Sequence, residues 1–123
     1  MDARKKWREQ KRKELLRQLA ELEIEELREE GVFDGTPHYS TLERAAHELG
    51  RRLSRCTQER AAEEVSERCP VRISCPGCGE ICVVERQERE VRSLDGVVRV
   101  VEAVAYCGKC RRCFFPSASS VGV

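Results

Sequence analysis

The sequence predicts an α+β protein with long helices in its N-terminal part and a small β-hairpin ribbon after them. Apolar side chains of the first part recur at spacings of three and four, as on one side of a helix. Two later segments are rich in β-branched residues, and a Cys-x-x-Cys pair lies at each end of this region. The predicted divisions are a helical region over 1–70, a zinc ribbon over 71–116 and a disordered tail over 117–123.

Composition argues against one large core. The chain has 123 residues, of which 37% are charged and 5% aromatic, and such a polar chain buries little apolar surface. The net charge of +1 indicates no partner, but its distribution is uneven. Residues 1–17 hold eight basic and three acidic side chains, whereas residues 18–30 hold one basic and six acidic ones.

The cellular location is predicted from two kinds of segment that the sequence does not contain. It has no apolar run typical of a signal peptide and no stretch of 18 apolar residues that could cross a bilayer. We therefore expect a cytoplasmic protein with no membrane partner and no small-molecule substrate. Thiols stay reduced in the cytosol, so the eight cysteines are interpreted as metal ligands and spare thiols rather than disulfides.

The first predicted helix covers residues 2–30 and ends at Gly31. Its basic first half and acidic second half oppose the helix macrodipole. The interpretations that remain open are a solvated helix with its apolar stripe on a neighbour, coiled-coil self-association, pairing with an antiparallel partner helix, and basic side chains that contact phosphate.

The second predicted helix covers residues 40–68 and ends before Pro70. Ser40 is its expected N-cap, with Glu43 completing a capping box. The loop between the helices is short, so we expect a helical hairpin unless the first helix forms a coiled coil.

Asp95-Gly96 predicts a type I′ turn that joins the two long strands. The expected register pairs Leu94 with Val97 and Arg89 with Glu102. The arm that reaches from this turn to the first cysteine pair would exceed about 40 Å, so we expect the tip of the hairpin to project or twist.

Cys75, Cys78, Cys107 and Cys110 are the predicted metal ligands. Four thiolates suit tetrahedral Zn²⁺, and a site with four protein ligands is structural because no position is open for water. Iron in the same site is a weaker alternative, as is replacement of one ligand by a neighbouring thiol or a second site built from the remaining cysteines. Those remaining cysteines are Cys56, Cys69, Cys82 and Cys113, while His38 and His47 are interpreted as surface residues.

Basic residues flank the second cysteine pair. Such side chains on a rigid turn can contact phosphates, which position a protein on a duplex without reading its sequence. The alternative is a solvated face on which Phe114 and Phe115 pack. The predicted nucleic-acid contacts are Lys109, Arg111, Arg112, Arg86 and Arg89.

Several short segments follow one another in a defined order: Asp34 to His38, the helix from Leu42 to Val65 with Ala45-Ala46 and Gly50, Cys75 to Gly79, Leu94 to Gly96, Tyr106 to Arg112, and Phe114 to Pro116. Taken in this order, they resemble the N-terminal region of bacterial insertion-sequence transposases. The resemblance covers residues 31–116. It implies a zinc ribbon ahead of a DDE-type catalytic domain, in which three carboxylates bind two Mg²⁺ ions.

The chain departs from that pattern after Pro116, where residues 117–123 follow and no domain for a carboxylate triad does. The resemblance therefore implies DNA binding or assembly in transposition without catalysis, with DNA as the partner. The N-terminal helix is the expected contact with a second copy of the chain or with a longer transposase. No nucleotide-binding loop or catalytic motif is present, so we do not expect an enzyme. The alternative is a zinc-stabilised structural or adaptor protein that oligomerises through its first helix.

Overall fold

The computed structural model describes residues 2–116 and has the predicted α+β class. Two helices precede a four-stranded antiparallel sheet. The predicted tail, 117–123, lies outside the described residues. The elements are α1 (Ala3–Glu29), α2 (Tyr39–Glu67), β1 (Arg72–Ser74), β2 (Ile81–Ser93), β3 (Gly96–Cys107) and β4 (Arg112–Phe114).

Helix α1 confirms the prediction to within one residue at each end. Its N-cap is Asp2, whose carboxylate accepts a hydrogen bond from the Lys5 amide at 2.9 Å. Gly31 follows its end with a φ of 80°, a conformation that glycine adopts without strain. Neither helix has an apolar stretch long enough to cross a membrane within the described part of the chain.

Most of α1 is exposed within the chain. It contains no buried residue, and the apolar side chains of its middle turns, Leu15, Leu16 and Leu22, are exposed. Half-buried apolar side chains occur nearer the loop between the helices, at Leu19, Ile24, Leu27, Val32, Phe33, Leu42, Ala45 and Leu49. The apolar stripe of α1 is thus only partly covered, and the coiled-coil alternative stays a prediction.

Helix α2 begins at Tyr39, one residue before the predicted cap. Ser40 therefore lies inside the first turn, where its hydroxyl contacts the His38 ring nitrogen at 3.3 Å. The predicted capping box is wrong for this reason. The chain divides into two compact units between Leu49 and Gly50, inside α2, so the second half of this helix groups with the sheet. The boundary predicted at residue 70 lies just after the end of α2 at Glu67 instead.

The sheet has the order β1-β2-β3-β4 with every neighbouring pair antiparallel. Strands β2 and β3 contain 13 and 12 residues and form the predicted long hairpin. The two outer strands have three residues each and flank only the end of the hairpin away from its turn. The ribbon is therefore four strands wide at its cysteine end and two strands wide at its tip.

The predicted register is wrong by two positions. Ser93 pairs with Gly96 and Val91 with Val98, so Leu94 and Asp95 form the turn. A type I′ turn would need a positive φ at Asp95, whereas the positive φ in this turn occurs at Gly96 (117°). Because the displacement is even, residues that were expected to pair, such as Arg89 and Glu102, still lie on the same face of the hairpin.

The second half of α2 anchors the tip of the hairpin, which the sequence did not predict. The Ser54 hydroxyl donates to the Asp95 carboxylate, and the Arg55 guanidinium donates to the Asp95 carbonyl at 2.9 Å. Further along the helix, Glu59 accepts the amide hydrogen of Arg99 at 2.8 Å. The tip therefore does not project freely.

The two ends of the ribbon bury opposite faces. At the cysteine end the buried cluster contains Ile73, Cys75, Cys82, Ala105 and Cys107. Near the tip the buried side chains are Val98 and Val100. Val84 pairs with Ala105 and Val91 with Val98. Residues 84 and 91 are an odd number of positions apart, so strand alternation places these two pairs on different faces.

Candidate metal centre and its basic flank

The two Cys-x-x-Cys segments form matching turns at one end of the sheet. The first lies between β1 and β2 and the second between β3 and β4. In the first turn the Gly77 amide donates to the Cys75 sulfur at 3.4 Å, and in the second the Cys110 amide donates to the Cys107 sulfur at 3.3 Å. These amides stabilise negative charge on the first sulfur of each pair.

A backbone bond closes each turn at the residue four positions after its first cysteine. The Gly79 amide donates to the Cys75 carbonyl at 2.8 Å, and the Arg111 amide donates to the Cys107 carbonyl at 2.7 Å. Both closing residues have positive φ, 78° at Gly79 and 56° at Arg111. Among the described residues, Arg111 is the one non-glycine in this conformation, which costs about 1–3 kcal/mol for a residue with a Cβ.

The four predicted ligands converge. The sulfurs of Cys75, Cys78, Cys107 and Cys110 all lie within 4.8 Å of one another. Cys75 and Cys110 are 3.8 Å apart, and Cys78 and Cys107 are 3.5 Å apart. Four sulfurs about 2.3 Å from one tetrahedral ion are separated by about 3.8 Å. The cluster is therefore compatible with a bound metal ion.

The thiols of the cluster differ in acidity. The pKa of Cys107 is lowered to about 6, chiefly by the Cys110 amide, and amides of Cys78 and Gly77 lower the pKa of Cys75. The pKa of Cys110 is raised to about 12 because its thiol shares hydrogen bonds with Cys78 and Cys75. Four adjacent thiolates repel one another, so a cation is needed before all four sulfurs lose their protons.

The other cysteines remain outside this cluster. Cys82 is buried, its thiol donates to the Glu80 carbonyl at 3.5 Å, and burial raises its pKa. Cys69 is half-buried, with a pKa also raised by burial, whereas Cys56 and Cys113 are exposed. No second group of three or more metal-ligating side chains occurs in residues 2–116. The alternative second site is therefore not formed by the described chain, and His38 and His47 are exposed.

Three of the five predicted nucleic-acid contacts lie together on the second turn. Lys109, Arg111 and Arg112 are all exposed. Arg112 also reaches the first turn, because a Cβ added to Gly77 would lie 3.4 Å from its guanidinium. A shallow depression beside the cluster is lined by Cys75, Pro76, Gly77, Cys107, Cys110, Arg112, Cys113 and Phe114.

The other two predicted contacts are separated from this group and from each other. Arg86 and Arg89 lie on β2 an odd number of positions apart, so their side chains emerge on opposite faces. Arg89 also forms a two-bond ion pair with Glu102, and this pairing raises the pKa of Arg89. The charge of Arg89 is thus already partly neutralised, and Arg86 and Arg89 do not share one face of the ribbon.

Two features of the ribbon, one at its tip and one at its cysteine end, were not predicted from the sequence. The α2 residues that hold the tip, Ser54, Arg55, Gln58 and Glu59, carry no local signal because their partners are about forty residues away in the chain. The special backbone of Arg111 did have a signal. Alignment of the two cysteine segments places Arg111 where the first segment has Gly79.

The chain matches no family model, no curated protein and no solved structure. The transposase resemblance therefore rests on the short segments of the sequence alone. The function has to be argued from the geometry and charge of the site.

Proposed function

We propose that the four-cysteine cluster binds one structural Zn²⁺. Soft thiolate ligands in a tetrahedral arrangement select Zn²⁺ or iron among common ions. All four positions are protein sulfurs, which leaves none for water or substrate. The role proposed for the metal is therefore to hold the cysteine end of the ribbon together.

Elemental analysis tests this assignment. The purified protein is expected to be colourless and to contain one zinc per chain, and chelation should release it together with the folded signal of the ribbon. A coloured protein that contains stoichiometric iron would contradict the choice of zinc. Retention of the folded ribbon after complete metal removal would contradict a structural role.

We further propose that this zinc ribbon is a DNA-binding or assembly part of a transposase-like protein, with no catalytic activity of its own. The observation that supports DNA contact is the cluster of three exposed cations on one metal-held turn, Lys109, Arg111 and Arg112. The backbone of a turn fixed by the metal is already ordered, so contact between its cations and DNA would cost little further backbone entropy. Contacts of this kind with phosphate give affinity without sequence preference.

The left-handed backbone at Arg111 also supports this proposal. Gly79 occupies the matching position without strain, whereas Arg111 keeps a charged side chain there at an energetic cost. A strained residue that could be replaced by glycine is often retained for its side chain. The guanidinium of Arg111, which suits phosphate oxygens, is the group that would be lost.

Titration of duplex DNA with the metal-loaded protein at several salt concentrations tests the proposal. We expect affinity to fall steeply with salt. Simultaneous K109A, R111A and R112A substitution should reduce the slope of log K against log salt by up to about 0.9 per lost phosphate contact. The matched control replaces three other exposed cations, Arg28, Arg44 and Arg68, with alanine. This control should keep most of the wild-type slope of log K against log salt.

Equal effects of the two triple variants would show that the second turn is not the contact surface. A protein that binds no duplex at low salt would contradict the DNA-binding role. Self-association without DNA affinity would then favour the structural or adaptor alternative.

A further inference from the structure

An exposed seam runs the length of α1. Its residues are spaced alternately by four and three positions, the pattern by which two helices pack as a coiled coil. All of them are exposed in the structure, and Leu15 and Leu22 at its centre are 52% and 63% exposed. The seam consists of Arg4, Arg8, Lys11, Leu15, Gln18, Leu22, Glu25 and Glu29.

The charges of this seam are ordered from basic to acidic. Its first three residues are cations, its centre is apolar or neutral, and its last two residues are glutamates. This order is unfavourable for an isolated helix, because cations lie at the positive end of the macrodipole and anions at the negative end. Beyond its N-cap Asp2, the first turn of α1 contains no acidic residue that would offset this order.

We propose that α1 pairs antiparallel with α1 of a second copy of this chain. Full overlap of the two helices places Arg4 opposite Glu29 of the other copy and Arg8 opposite Glu25 of the other copy. A twofold axis repeats each of these ion pairs. The basic end of each helix then lies beside the negative end of its neighbour's macrodipole, which turns an unfavourable charge order into a favourable one.

The same register brings Leu15 of one copy close to Leu15 of the other at the centre. Leu15 lies opposite Gln18 of the second copy, and the two Leu15 residues are offset along the axis by about 4.5 Å, less than one turn. Lys11 lies opposite Leu22, where its methylene groups can cover the leucine while its ammonium group reaches water.

The charge order also selects against the parallel arrangement. In a parallel pair in register, Arg4 and Arg8 would lie beside their own copies, as would Glu25 and Glu29, so every charged layer would be repulsive. The pairing depends only on α1. It requires neither the metal assignment nor DNA binding, and its test can fail without affecting either.

Sedimentation equilibrium of the full metal-loaded chain tests the proposal. We expect the wild-type protein to shift with concentration from the 14.1 kDa monomer towards twice that mass, and the shift should weaken with added salt. R8E should raise the dimer dissociation constant about tenfold, because two attractive contacts become repulsive by symmetry. The double swap R8E/E25R should restore the wild-type constant to within about threefold, since opposite charges then face each other again.

The matched control is K13E, which makes the same charge change on α1 at an exposed residue outside the seam. It should leave the dissociation constant near that of wild type. R8E also places an acid near the helix N-terminus, where it favours the helix, so circular dichroism should show no loss of helix. Loss of association in R8E can then be assigned to the interface.

A wild-type protein that remains monomeric at every concentration would overturn the proposal. So would a dimer that R8E does not weaken, because the seam would then lie outside the interface. A dimer weakened by R8E and not restored by the double swap would also contradict the antiparallel register.

Discussion

The two ends of the ribbon are stabilised by different means. At the cysteine end, four strands, two matching turns and a cluster of sulfurs lie together. At the tip, two strands remain; the second half of α2 binds the turn through Ser54 and Arg55 and binds β3 through Glu59. Each end also buries its own face of the hairpin. A long two-stranded ribbon is marginal by itself, and this molecule supports its ribbon once at each end.

The two ends of the ribbon differ in the stabilising contacts that remain after one of them is lost. The buried cluster at the cysteine end includes three cysteines among five residues, so this end has little apolar core to compensate for loss of the proposed metal ion. The tip is supported by several separate hydrogen bonds, so a single substitution removes only part of its support. The cysteine end should therefore fail completely on a single substitution, and the tip only partly.

The largest effect is expected from C78S. Cys78 is an exposed residue whose sulfur belongs to the cluster, so its replacement removes a ligand without opening a cavity. Metal binding worth about 10–16 kcal/mol in small zinc units would be strongly weakened, and the cysteine end should unfold. Thermal unfolding and metal content measure this change.

C113S is the control for C78S, because Cys113 is another exposed cysteine outside the cluster. It should leave both metal content and unfolding near wild type. Equal melting of C78S and wild type would mean that the metal does not support this end, and the contrast between the two ends would disappear.

A smaller effect is expected at the tip from D95A. This substitution removes the carboxylate that accepts the Ser54 hydroxyl and should lower the free energy of unfolding by about 1–3 kcal/mol. The Arg99 amide, which donates to Glu59, should exchange its hydrogen faster, while amides in the two cysteine turns keep their protection. Native-state hydrogen exchange resolves the two ends separately.

E88A is the control at the tip, since Glu88 is an exposed β2 residue between the two ends. It should change neither unfolding nor exchange at Arg99. If D95A accelerated exchange in the cysteine turns as much as at Arg99, the ribbon would unfold as one unit rather than from two independently supported ends.

The smallest effect is expected from a comparison within the cysteine end. R111G should stabilise the metal-loaded protein by about 1 kcal/mol because it relieves the positive φ, and G79A should destabilise it by a similar amount. Chemical denaturation of the two variants measures the difference between the matching turns. Destabilisation by R111G would show that the arginine side chain contributes more to folding than its backbone costs.

Local patterns of the sequence predicted much of this architecture. Helix ends follow from local signals, so α1 and α2 begin and end within one residue of the predicted positions. The spacing of Cys75, Cys78, Cys107 and Cys110 predicted their convergence because a short turn places both of its sulfurs on one side. Register was missed because Asp95-Gly96 suits more than one turn, and contacts with α2 accompany the one adopted.

The sequence by itself determined the class of the fold and the positions of its helices and long strands, since each depends on residues close together in the chain. It also identified the four sulfurs of the candidate metal site from the repeated Cys-x-x-Cys spacing, although the two pairs that meet there are about thirty residues apart. Tertiary structure decided which face each end of the ribbon buries, how α2 holds the tip, and that Arg86 and Arg89 lie apart from Lys109, Arg111 and Arg112. These features depend on strand alternation over a long hairpin and on contacts between distant segments. Local propensity does not encode such contacts, because their free energy appears only when the separate segments pack together.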